Sequence, residues 1–226
     1  MELLEQCDFC NEFRGNQNNA FAALYKSRPA RRIAFETPSF VVMPSLGQIV
    51  LGYLLVVPKV HFVAIADMPH HTLVELEELR AKLLARLSAH YGAYLFFEHG
   101  TRTKNCGGCG ITHAHLHAVP FPATADPIRR LKDQWTYHSI RQFLDLKDIP
   151  MGSSYLYYES VTNDRFAFYP EAISSQYVRR LLADALNSQD WDWRVAGREN
   201  RLVSTLSETT TLLGRSFPPC SHSTLP

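Results

Sequence analysis

Between Gly110 and Pro120 the chain reads GITHAHLHAVP, with histidines at 113, 115 and 117 separated by single small or apolar residues. In an extended segment successive side chains point to opposite faces. The three imidazoles then share one face at roughly 7 Å spacing, while Ala114, Leu116 and Ala118 face the other way into a core. A lone histidine on a strand is ordinarily just a polar residue with a partner. Three on one face, backed by an apolar face and preceded by a glycine-rich loop, point to chemistry. All three can hold a catalytic metal, or one can act as a nucleophile while its neighbours handle phosphate and protons; spacing alone does not separate the two. Cysteine usage adds a second group, because Cys7 with Cys10 and Cys106 with Cys109 form two Cys-x-x-Cys pairs, Cys220 standing apart. With no secretory leader in the sequence, such pairs point to metal or redox chemistry more than to a disulfide framework.

The elements that must hold these groups follow from composition and pattern. A chain of 226 residues, 46% of them apolar, can bury a proper core as one large domain or a domain with an extension. The formal charge is +1, and no basic cluster exceeds the pairs Arg31-Arg32, Arg129-Arg130 and Arg179-Arg180. That leaves no electrostatic footprint for duplex nucleic acid and keeps small anions open as partners. The longest apolar run, Ile49 to Val57, is about half of the ~20 residues that cross a bilayer, so no membrane association and a cytoplasmic location are expected. Residues Arg32 to Met43, broken by ETPS, read as a hairpin, and GYLLVVPKVHF as a buried strand ended by Pro58. HTLVELEELRAKLLARLSAHYG reads as a helix with a leucine stripe, a capping box from Thr72 and Glu75, and a stop at Gly92. YLFFE is a further strand, followed by the glycine-rich loop and the histidine strand. The layout is α+β, an antiparallel sheet with packed helices, over residues 1–122. Residues 123–214 form a C-terminal α/β extension packed on that core. In it PIRRLKDQWTYHSIRQFLDL reads as helical, SYLYYES and RFAFYP as a hairpin, SSQYVRRLLADALN as a helix opened by Ser174 or Ser175, and Glu199 to Leu213 as a last helix. The Pro- and Ser-rich tail, 215–226, is expected to be disordered.

The motifs carry a resemblance. HAHLHAV resembles the signature of the histidine triad superfamily of nucleotide hydrolases and transferases. GYLLVVPKVH is similar to that family's second signature, and CDFC resembles the cysteine pair of its zinc-containing branch, in matching order and rough separation. The resemblance covers about Cys7 to Pro122. SSQYVRRLLADAL with WDWR is similar to an extension in a bacterial subgroup. It implies that His115 is the nucleophile, attacking the α-phosphorus of a nucleotide to give a covalent nucleotidyl-histidine. His117 would contact the phosphate oxygens, assisted by backbone N–H groups near Gly110 and Ile111. His113 would orient its neighbour or, in zinc-containing members, join Cys7, Cys10 and His61 around a zinc ion. Two thiolates and two imidazoles suit tetrahedral zinc, and four protein ligands close the site, making the metal structural. A rival set joins Cys106 and Cys109 to Cys7 and Cys10 as in a zinc ribbon.

The sequence departs from the family pattern before the triad, where Cys109 and Gly110 replace residues that touch the leaving group. Ser45 stands where the family has an acidic ribose-binding residue. Leu46 and Met43 read either as walls for a base or as plain core, and Arg179 and Arg180 either as phosphate or carboxylate contacts or as a solvated helix face. His117 in the third triad position favours hydrolysis over transfer by resemblance. The expectation is a hydrolase that cleaves at the α-phosphate of a dinucleoside polyphosphate, a nucleoside phosphoramidate or an acyl-adenylate and releases a nucleoside monophosphate. Nucleotidyl transfer to a small acceptor, a zinc enzyme built on His113, His115 and His117, and a non-catalytic nucleotide-binding protein stay open. A homodimer is expected because relatives commonly form one.

Overall fold

The computed structural model describes residues 6–26, 28–102, 111–195 and 197–214. Gly110, the Cys106 and Cys109 pair and the tail from 215 lie outside the described residues.

Two short helices, α1 (Asp8–Phe13) and α2 (Ala20–Tyr25), precede the strands β1 (Phe35–Glu36), β2 (Phe40–Pro44) and β3 (Leu54–Pro58). The long helix α3 (His70–Tyr91) leads into β4 (Tyr94–Thr101) and β5 (Leu116–Pro120). Then come α4 (Ile128–Gln134), β6 (Tyr137–Ser139), a 3₁₀ segment (Phe143–Asp148), β7 (Ser154–Glu159), β8 (Arg165–Phe168), α5 (Tyr177–Ala185) and α6 (Glu199–Leu213). The strands form one antiparallel sheet in the order β1-β2-β3-β5-β4-β7-β8-β6.

Strand alternation sorts the apolar residues into two layers. On one face Phe40, Val42, Leu54, Val56, Phe96 and Tyr157 pack against the stripe Leu73, Leu76, Leu79, Leu83 and Leu87 of α3. On the other Val41, Met43, Leu55, Val57, Leu95, Phe97 and Tyr158 pack against Phe9 of α1, Leu131 of α4, and Val178, Leu181 and Leu182 of α5. The α+β layout and the antiparallel sheet are as read from the pattern. The extension joins that same sheet, β7 pairing with β4 from Phe96↔Glu159 to Thr101↔Ser154.

Four local expectations need correction. Helix α3 starts two residues before Thr72, at His70 behind Pro69, with no side-chain cap. Thr72 is buried inside the first turn, and the Glu75 carboxylate accepts from the backbone N–H (2.8 Å) and hydroxyl (2.5 Å) of Ser39, tying the helix to the β1–β2 turn. The segment from Pro127 to Leu146 is not one helix. After α4 the β-favouring run Trp135-Thr136-Tyr137 leads into β6, which pairs with β8, and a 3₁₀ segment follows, capped reciprocally by Gln142 and Asp145. Helix α5 opens at Gln176 in a left-handed conformation, without a cap from Ser174 or Ser175. Finally, only His117 of the triad lies within β5; His113 and His115 precede it. The alternation nevertheless persists, since Ala114, Leu116 and Ala118 all sit in the α3-side core and the Ala114 N–H donates to the Phe62 carbonyl at 2.7 Å.

Candidate functional site

Strand β5 runs between β3 and β4, so His117 stands beside Leu55 on one side and Phe97 on the other. The Phe97 ring stacks flat on the His117 ring at 4.1 Å, and the Tyr53 hydroxyl meets His117 Nδ1 at 2.7 Å. These contacts leave the ring one orientation. His115 is fixed differently. Its Nδ1 lies 2.7 Å from the His113 carbonyl oxygen, which only accepts, so Nδ1 carries the proton and the lone pair resides on Nε2. The rings of His115 and His117 are 4.7 Å apart, and the edge of Phe9 packs on His115 at 5.4 Å and on His113 at 5.6 Å. Burial, with Arg32 as a smaller like-charge contribution, lowers the His115 imidazole to about 4, and burial holds His117 well below its ordinary value. Both rings are therefore neutral near pH 7.

A cleft opens in front of these two rings. Ser45, Leu46, Ile111 and Arg179 line it with His115 and His117. Met43 does not: it is fully buried in the core beneath. Of the two readings of Arg179, a solvated helix face fails, because the side chain is buried. Its guanidinium donates to Ser45 Oγ at 3.2 Å, the Gly47 carbonyl at 2.5 Å and the Trp191 carbonyl at 2.8 Å, and lies over the Tyr53 ring. Arg180 points away from the cleft, over the Trp191 ring at 4.2 Å. Several lining residues escaped the sequence reading, among them Asp8, Glu12, Arg32, His99, Gln176 and Trp193. Period-two alternation along β4 gave a signal for His99, which shares a face with Phe97. The Arg32–Glu12 pair, two parallel bonds of 2.7 Å with a further bond from Arg32 to the Pro44 carbonyl, left none, because the partners stand 20 residues apart on segments that only the fold brings together.

Behind the cleft a second group forms. Cys7 and Cys10, one helical turn apart at the start of α1, meet His61 from the segment after β3 and His113. Cys7 Sγ is 3.3 Å and Cys10 Sγ 3.6 Å from His113 Nδ1, Cys10 Sγ is 3.5 Å from His61 Nδ1, and all four ligand atoms lie within 4.8 Å of one another. The Pro58 carbonyl, 2.9 Å from His113 Nε2, accepts a hydrogen bond from Nε2–H, which leaves the lone pair on Nδ1, facing the sulfurs. Burial pushes the Cys10 thiol up to about 11 and His113 down to about 3. A dication at the centre of two sulfurs and two ring nitrogens offsets the cost of the buried thiolates, and this donor set fits zinc. Because His113 Nδ1 faces the cysteines, its ring does not join His115 and His117 around a common ion. Among the described residues, the cluster capable of holding a metal contains neither of those two.

No protein-family model matches the chain, and no curated protein matches it. Solved structures match part of it. A Hit-like protein involved in cell-cycle regulation from Bartonella henselae is 19% identical, with 46% of this chain and 81% of that chain covered at a TM-score of 0.36. A HIT family hydrolase from Clostridium thermocellum is 18% identical over 52% of this chain and 92% of that chain at 0.37. A hypothetical histidine triad nucleotide-binding protein from Sulfolobus tokodaii is 21% identical over 45% of this chain and 66% of that chain at 0.32.

Proposed function

We propose that the chain is a histidine-triad nucleotide hydrolase in which His115 attacks the α-phosphorus of a nucleotide conjugate. The observation that carries this reading is the proton on His115 Nδ1, held by the His113 carbonyl, which puts the nucleophilic lone pair on Nε2 of a cleft-lining ring that burial keeps neutral. As the Nε2–P bond forms, the bond from phosphorus to the leaving oxygen or nitrogen breaks and its electron pair departs with that atom, which takes up a proton. Water then attacks the phosphorus, the N–P bond breaks, and a nucleoside monophosphate leaves. His117, fixed by Phe97 and Tyr53, stands next to the reacting ring to meet the phosphate oxygens, and Ile111, whose backbone N–H is assigned to assist it, lines the same cleft. Ser45, Leu46 and Arg179 line the part of the cleft assigned to the nucleoside. Zinc held by Cys7, Cys10, His61 and His113 supplies structural cross-linking, pinning α1 and its Phe9 behind the nucleophile.

The test uses α-³²P-labelled adenosine phosphoramidate, acyl-adenylate and diadenosine polyphosphate, each quenched in alkali. Wild type acquires acid-labile label on protein, and His115→Ala loses the label together with about 10⁴-fold or more of turnover. A variant that keeps both overturns the reading. Acceleration of turnover by inorganic phosphate or a sugar phosphate would replace hydrolysis by transfer.

A further inference from the structure

Two chemically different groups line the cleft. One is the imidazoles of His115, His117 and His99, gathered about Phe97; the other is Phe21, Leu46 and Trp193. Those three belong to a small apolar cluster, separate from both sheet cores, in which Tyr25 of α2 and Leu202 of α6 are buried with Phe21 and Leu46. Trp193 sits at its margin, half-buried, so the indole is supported on one side by the cluster and lines the open cleft on the other.

The backbone that carries the indole is also held in place by polar contacts. The Gln176 side chain accepts from the Trp193 backbone N–H at 3.2 Å and donates to Asp192 Oδ1 at 2.9 Å, while Arg179 Nε donates to the Trp191 carbonyl at 2.8 Å. Arg194 pairs with Asp192 at 2.9 Å and holds that carboxyl well below its usual range. Gln176 and Arg179, which fix the 191–194 segment, themselves line the cleft. A large aromatic ring is thus presented, pre-oriented, to a ligand whose other end meets the imidazoles.

We propose that Trp193 is the platform on which the base of the nucleotide stacks, with Phe21 and Leu46 completing the base subsite, so that affinity for the base comes from the extension. The inference rests on the nucleotide reading above. Stacking on a π-face accepts every base, so all nucleoside monophosphates bind, the larger purines more tightly.

Calorimetry with AMP and with ribose 5-phosphate separates base from phosphate. Trp193→Ala weakens AMP about 5- to 100-fold while ribose 5-phosphate binding stays within about twofold of wild type. Trp193→Phe, which keeps a ring and the packing, retains most AMP affinity but loses the AMP-dependent change in tryptophan emission. Unchanged AMP affinity in Trp193→Ala, or equal losses for both ligands, overturns the proposal. If His115 is still labelled in that case, the hydrolase reading stands alone; if wild type neither binds AMP nor takes label, both fall.

Discussion

Glu98 shows how one buried group sets a pH dependence. It lies on β4 beside His99, but its carboxyl turns to the face of the sheet away from the cleft and is fully enclosed. There it accepts from the Ile65 N–H and the Tyr155 hydroxyl, each at 2.7 Å. Two neutral donors do not offset the lost hydration of a carboxylate, and burial, with Asp67 adding repulsion, raises its pKa from 4.5 to about 8. The native state therefore holds this proton more tightly than the unfolded chain. The associated stability is fully present below about pH 4.5 and is lost as pH rises towards about 8. Glu98→Gln, which imitates the protonated form, is expected to flatten this decline and to exceed wild type in urea midpoint at pH 8 while matching it near pH 5. A wild type that gains on the variant as pH rises would contradict the assignment. The neighbouring His99 illustrates what sequence offers at this scale: alternation puts it on the cleft face, yet no motif marks it. The pattern HAHLH did mark His115, because the alternation that exposes its ring is local. Arg179 and Ser45 were each candidates, but their contact was not readable, since 134 residues separate them and only the folded chain brings them together.

Among the elements, legibility followed the same division. The stripe of α3, its stop at Gly92 and the pairing of β7 with β8 depend on periodicity within one segment and were readable. The start of α3 and the split after α4 were not, because the Ser39 bonds to Glu75 and the β8 partner of β6 come from elsewhere in the chain. Gly100 of β4 belongs to the unreadable kind. It lies opposite Tyr155 of β7, and a Cβ there would fall 2.0 Å from the Tyr155 ring. That ring cannot yield, since its hydroxyl is engaged by Glu98 and by the Ala66 N–H at 3.2 Å and the residue is buried. Gly100→Ala is predicted to cost about 1–3 kcal/mol through overpacking, seen as a lower urea midpoint, and an unchanged midpoint would show that the two strands have room to part.

At the scale of the whole molecule, the residues before and after the expected boundary near residue 122 share their apolar layers. Both apolar layers cross it, with Phe143, Leu146, Tyr155 and Tyr157 in one and Val178, Leu181 and Leu182 in the other. Glu159, fully buried on β7, receives Arg80 of α3 and the Tyr157 hydroxyl at 2.8 Å. Thr205 of α6 donates to Gln48 and accepts from the Gly52 N–H, both at 2.9 Å, stitching the last helix to the β2–β3 loop. A chain ended at Pro122 deprives Arg80 of the buried Glu159 carboxylate and leaves the β4 ladder open along the edge that β7 covers, a template for aggregation. Such a fragment is expected to show no cooperative urea transition. The full chain is expected to unfold in one step, and its tryptophans allow a direct check, because Trp135, Trp191 and Trp193 all lie beyond the boundary. Their emission reports the extension, while amide hydrogen exchange along α3 reports the first part. Coincident free energies from the two probes mean a single cooperative unit; an extension that melts while α3 amides stay protected would mean two.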